Sequence, residues 1–293
     1  MTQTRRFKQV DVFTAVPLKG NPLAVIFDAD DLSDEEMSAM ARWTNLSETT
    51  FVLKPTDPAA DYRVRIFTPD TEFQFAGHPT LGTAHSLLEA GLKPKNAGHL
   101  IQECGVGLVP VKMLEEGGLA FRAPPASLSA LAAEHLPLLD KALKGAKRQQ
   151  DAVPVAVNMG LGWLVVRMES AKACLAAQFD ADALQEIVHK SGMHGLALFG
   201  LHDQDGPADY ELRALIIEQG VLIEDPVTGS ANACLARVLK SQGFPDGAQT
   251  GERYQVRQGT IRQREGCVAV EYIDGEPWIG GNTCTLIDGT VTL

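Results

Sequence analysis

Three short stretches of this chain set ionisable or hydroxyl side chains beside turns. The first is Asn45-Leu46-Ser47-Glu48-Thr49-Thr50-Phe51. Glu48 is followed, after two threonines, by the apolar run Phe51-Val52-Leu53, which predicts a carboxyl group at the mouth of a core. A partly desolvated carboxyl resists ionisation and can both accept and return a proton near neutrality. The same residue type also caps helices and pairs locally, and either use fits this position.

The second stretch is Phe75-Ala76-Gly77-His78-Pro79-Thr80. Proline favours the first helical position, so His78 is expected at the N-cap or near it. The backbone N–H groups of such a helix start, with the helix dipole, suit a carboxylate or phosphate. His78 would bind substrate, move or orient a proton, or serve only the fold. His78 and His85 lack the i, i+4 spacing of a zinc helix and have no acidic cluster beside them, so no metal site is expected.

The third stretch is Glu224-Asp225-Pro226-Val227-Thr228-Gly229-Ser230-Ala231. Asp225 suits an ammonium or amino group, or would hold His78 in one tautomer. An Asp-Pro turn with a serine cap is the plainer alternative. A Ser230, His78 and Asp225 hydrolase is disfavoured, because Thr228-Gly229-Ser230-Ala231 is not a G-x-S-x-G elbow.

The elements that must carry these stretches repeat along the chain. Asp61-Tyr62-Arg63-Val64-Arg65 and Asp209-Tyr210-Glu211-Leu212-Arg213 each open a strand. Downstream, Ala76-Gly77-His78 leads into a helix ending at Gly91, and Thr228-Gly229-Ser230 into one ending at Gly243. Upstream, Ser33-Asp34-Glu35-Glu36 is a capping box ahead of Met37, Met40 and Ala41, matched by a short helix with Leu184, Ile187 and Val188. In this alignment Glu48 falls opposite Leu196. Many short β-branched runs separated by turns, with few helices, indicate an α+β fold. The expected halves are residues 1–122, completed by 283–293, and 127–282, with Pro124-Pro125 at the junction.

Composition limits the partners. A net charge of −11 disfavours nucleic acid and anionic membranes, and no apolar run approaches the length of a bilayer span. No secretory h-region follows Met1, so a cytoplasmic location is expected. The five scattered cysteines fit reduced thiols, each read as a small buried hydrophobe. No P-loop or G-x-G-x-x-G follows a strand, so a nucleotide has no support.

Taken in order, Val10-Asp11-Val12-Phe13-Thr14, Gly20-Asn21-Pro22-Leu23-Ala24-Val25, the Glu48 stretch, Arg65-Ile66-Phe67-Thr68-Pro69, Ala76-Gly77-His78-Pro79-Thr80-Leu81-Gly82 and the Asp225 stretch form a recognisable series. The chain resembles the PhzF family of phenazine-biosynthesis isomerases over nearly its whole length. The resemblance implies a diaminopimelate-epimerase-like fold: two pseudo-symmetric domains, each a curved sheet or barrel around a central helix, with the site between them. It implies a homodimer, no metal and no organic cofactor. It implies proton-shifting isomerisation of a small carboxylate such as trans-2,3-dihydro-3-hydroxyanthranilate. By motif, Glu48, His78, Asp225 and Ser230 become the catalytic positions, with Glu48 as general base and acid. Ser47, Gly77, Thr228 and Gly229 become substrate-binding positions.

Racemases of this fold look like they use two cysteines, one before each central helix. Ala76 and Thr228 stand there, so thiol-based stereoinversion is disfavoured. A racemase without thiols and a non-catalytic metabolite binder are the alternatives. The chain departs from the family pattern at Gln74, Leu215, Ile217 and Gln263, positions expected to line or shape the pocket.

Overall fold

The computed structural model describes residues 3–114, 117–218 and 220–293. The chain divides into two compact units, Met1–Arg122 with Gly280–Leu293, and Ala123–Ile279. Each mixes strands and helices as the α+β reading expects.

In the first unit β1 (Thr4–Val12) pairs antiparallel with β2 (Asn21–Ile26) on one edge and with the C-terminal strand Thr283–Thr292 on the other. The helix α1 (Asp34–Thr44) opens on the expected capping box, with both the Ser33 and Glu36 bonds present. It ends at Asn45, whose φ of 52° is the left-handed turn that asparagine tolerates. That turn sends the chain back through Glu48 into β3 (Thr49–Leu53), parallel to β2 and antiparallel to β4 (Tyr62–Phe67). The two-residue β5 (Glu72–Phe73) closes on β4, and α2 (Gly77–Glu89) follows. α2 buries ten residues around most of its circumference, the pattern of a helix wrapped by sheet, and packs against β1, β2, β3 and the C-terminal strand. β6 (His99–Cys104), β7 (Gly107–Met113) and β8 (Leu119–Arg122) complete the first unit.

The second unit repeats the plan. After β9 (Ser127–Ala130), α3 (Leu136–Ala142) and β10 (Val155–Asn158), β11 (Gly162–Arg167) lies parallel to β12 (Gly195–Leu201), with α4 (Ala171–Ala176) and α5 (Ala181–Ser191) between them in sequence. β12 is antiparallel to β13 (Tyr210–Glu218), which pairs with β14 (Val221–Asp225). The central helix α6 (Gly229–Ser241) is again buried, against β10, β11 and β12, and β15 (Arg253–Gln258) runs parallel to β13 as β6 does to β4. α2 and α6 are each followed by a glycine in the left-handed region, Gly91 (φ 95°) and Gly243 (φ 71°), as the repeat predicts.

The repeat reaches side chains. Arg65 forks onto Glu72 at 2.8 and 2.7 Å, and Arg213 onto Glu224 at 3.0 and 2.7 Å. Arg65 faces Phe51 across β3 and β4, while Arg213 faces Leu198 across β12 and β13. Counting back along both strands puts Glu48 opposite Gly195. The sequence alignment, which has no strand register to fix it, places it one residue off at Leu196.

Three expectations change. Helix α2 begins at Gly77 with Ala76 as N-cap, so His78 is its second residue and Pro79 its third. Proline fits there because a first-turn N–H has no intrahelical acceptor in any case. All five cysteines are free, but only Cys174 and Cys234 are buried, and Cys267 is exposed on β16 (Gly266–Ile273). Leu215 and Ile217 belong to the apolar core of the second unit, and Gln263 is an exposed left-handed residue. These departures therefore alter packing and a surface turn.

Candidate functional site

In the first unit the chain brings Glu48 and His78 together. The αL turn at Asn45 and a bond between the Thr44 and Thr49 hydroxyls (2.8 Å) hold both ends of the loop that carries Ser47 and Glu48. Ser47 itself is exposed. The Glu48 side chain is 12% exposed, and its Oε2 lies 3.3 Å from His78 Nε2. His78 and Gly77 are buried at the start of α2, where first-turn N–H groups lack intrahelical acceptors.

Burial pulls the His78 pKa down to about 3, so the imidazole is neutral at pH 7. Its Nδ1 stands 3.4 Å from the Asn21 side-chain nitrogen. The ring's tautomer decides which of those two atoms donates, and His78 Nε2 and Glu48 Oε2, although 3.3 Å apart, form no hydrogen bond in this geometry. Asn21 is fully buried at the first position of β2. The turn before it is fixed by the Gly20 N–H, which donates to Asp11 Oδ2 at 3.0 Å. A side chain at Gly20 would meet the Val12 carbonyl at 2.1 Å, so only glycine fits. Asn21, which the sequence marks only as part of a turn, occupies the place at Nδ1 for which Asp225 is the sequence's candidate.

In the second unit Asp225 ends β14, directly after the glutamate that Arg213 grips. Thr228 is the N-cap of α6, yet its hydroxyl does not cap the helix. It donates instead to Asp225 Oδ2 at 2.5 Å. Gln258 fixes that polarity. Its Nε2 donates to the Thr228 hydroxyl (2.9 Å) and to the Asp225 carbonyl (3.2 Å). Its Oε1 accepts from the Thr228 N–H (2.9 Å) and from Asn232 Nδ2 (3.1 Å). With donors on one side and acceptors on the other, the amide has one satisfactory orientation. Gln258 is fully buried and carries no charge, so nothing in its sequence position announces the role. Gly229 and Ser230 are buried in the first turn of α6, and the Trp163 indole N–H donates to Ser230 Oγ at 3.0 Å.

The two N-caps, Ala76 and Thr228, are the paired positions that hold no thiol. Among the described residues no three His, Cys, Asp or Glu side chains gather as a metal ion requires, and no helix is long and apolar enough to cross a membrane.

The model of the phenazine biosynthesis-like proteins, PhzC-PhzF, matches residues 10–289. A Schizosaccharomyces pombe protein named antisense-enhancing sequence 1 is 36% identical over 97% of both chains. The trans-2,3-dihydro-3-hydroxyanthranilate isomerase of Pseudomonas chlororaphis is 34% identical over 85% of this chain and 84% of its own. The solved structure of a Pseudomonas aeruginosa protein described as a predicted epimerase superposes with a TM-score of 0.80, at 31% identity and over 98% and 99% of the two chains. That match carries the epimerase-like fold which the resemblance implies. The chain belongs to the phenazine biosynthesis-like family and is an isomerase.

Proposed function

We propose that this isomerase moves a proton on a small carboxylate of the dihydrohydroxyanthranilate kind, with Glu48 as the group that takes and returns it. The observation that carries the reading is the largely buried carboxyl of Glu48, its Oε2 3.3 Å from Nε2 of a neutral imidazole. As a carboxylate, Glu48 accepts a proton from an acidic carbon of the substrate. His78 Nε2, 3.3 Å from the carboxyl, positions it in both protonation states. Return of the proton to a different carbon completes an isomerisation with no net redox change. Ser47 and Gly77 are proposed as substrate contacts of the first unit, and Asp225, Thr228, Gly229 and Ser230 as those of the second. A similar activity in the Pseudomonas chlororaphis relative supports the substrate class. A homodimer working in the cytoplasm is part of the same reading, and sedimentation at twice the chain mass is its expected result.

The test is turnover of trans-2,3-dihydro-3-hydroxyanthranilate by Glu48→Gln. General acid–base catalysis is typically worth about 10²–10⁴-fold, so kcat should fall by about that factor while the unfolding midpoint stays put. Full turnover by the variant would refute the role of Glu48.

A further inference from the structure

The internal repeat allows each group of the first unit to be compared with its counterpart in the second. Glu48 corresponds by strand register to Gly195, and His78, second residue of α2, to Ser230, second residue of α6. Gly195 is not an empty place. A Cβ built there would lie 2.6 Å from Trp163 Cζ3 and 2.6 Å from the Leu215 carbonyl. The Trp163 ring therefore lies against the position that carries the Glu48 side chain in the first unit. Trp163 faces Gly195 across the parallel pair β11 and β12, where the first unit has the aliphatic Leu23 one step before the pair Ala24 and Thr49. Its indole N–H donates to Ser230 at 3.0 Å, and in the first unit Glu48 Oε2 stands 3.3 Å from His78 Nε2.

We infer that Trp163 is a positioning residue that makes Ser230 a fixed hydrogen-bond donor to an anionic or carbonyl group of the substrate. The inference rests on the proposed role of Ser230 as a substrate contact. Indole has one N–H and no acceptor, so its bond fills a lone pair of the serine oxygen and turns the hydroxyl hydrogen away from the ring. The ring is 2% exposed and T-stacked with His194 at 6.2 Å, which locks its direction. The second copy of the half-site thus holds a donor that cannot titrate in the place where the first copy holds a proton carrier. This is a physical reason for one base rather than two.

The experiment uses the whole chain and two readouts. The chain has three tryptophans, Trp43, Trp163 and Trp278, so their indole N–H signals can be resolved by ¹⁵N NMR. Ser230→Ala should move the Trp163 signal upfield and leave the other two in place. In kinetics with trans-2,3-dihydro-3-hydroxyanthranilate, Trp163→Phe should raise KM by about 3- to 10-fold, the worth of one neutral hydrogen bond, with kcat within a factor of about two. The double variant should be no worse than Ser230→Ala, because both changes act through one hydroxyl. An unmoved Trp163 signal, or effects that multiply in the double variant, would overturn the inference. If the wild type does not turn over this compound, the function reading fails while the indole signal still decides whether Trp163 holds Ser230.

Discussion

His78 is held neutral by burial, and that has a thermodynamic consequence separate from catalysis. An unfolded histidine takes up a proton near pH 6.5, whereas folded His78 does so only near 3. Between those values the unfolded state binds more protons, so stability is fully present above about 6.5 and is lost as pH falls through that window. One such group contributes a slope of about 1.4 kcal/mol per pH unit. Urea unfolding of wild type and His78→Gln from pH 7 to 5 should show the variant losing less stability by about that slope; parallel curves would contradict a neutral buried imidazole. The residues around it differ in how far the sequence announces them. Glu48 and His78 stand out by type and by their neighbours. Asn21, Gln258 and Trp163 do not, because their contacts join elements 57, 30 and 67 residues apart and depend on strand register. A buried amide is visible as a functional side chain only once its partners are known.

Local signals carried much of the element level. The capping box of α1 and the glycines after α2 and α6 follow from nearest-neighbour chemistry, and the structure has them where the sequence puts them. Register is a different kind of information. The shift from Leu196 to Gly195 opposite Glu48 depends on which residues hydrogen-bond across β12 and β13, and pattern alone leaves it a step uncertain. The helix start at Gly77 likewise depends on where β5 releases the chain, so the proline signal, which puts Pro79 first in the helix, sets that start two residues late. The two arginine forks show how one repeated device can differ in energy. Arg213 and Glu224 are 6% and 11% exposed, and Arg213 also donates to the carbonyls of Cys174 and Ala177. Arg65 and Glu72 are 20% and 33% exposed, and Arg65 keeps a second partner in Asp34. Removing one partner from a buried pair strands a charge and costs about 3–5 kcal/mol, against about 1 kcal/mol or less for an exposed pair. Glu224→Gln should therefore lower the denaturation free energy several-fold more than Glu72→Gln. Equal losses would show that burial does not separate the two forks.

At the scale of the whole molecule, charge and ancestry act together. A net charge of −11 repels an anionic substrate at long range, so a carboxylate ligand relies on local donors at short range. Raising ionic strength to about 0.15 M, where the screening length is about 8 Å, should increase kcat/KM for a substrate of net negative charge. A fall would mean that a local positive field dominates the approach. Each unit repeats the same strand order, arginine fork and central helix. The two copies differ at the proposed site, with Glu48 and His78 in one and Trp163 and Ser230 in the other. The central claim is that one carboxyl group carries the proton, and hydrogen exchange tests it most directly. In D₂O with saturating trans-2,3-dihydro-3-hydroxyanthranilate, NMR should show the wild type introducing deuterium at the carbons that lose and gain the proton, and Glu48→Gln introducing none above the uncatalysed rate. Exchange by Glu48→Gln at the wild-type rate would contradict the account.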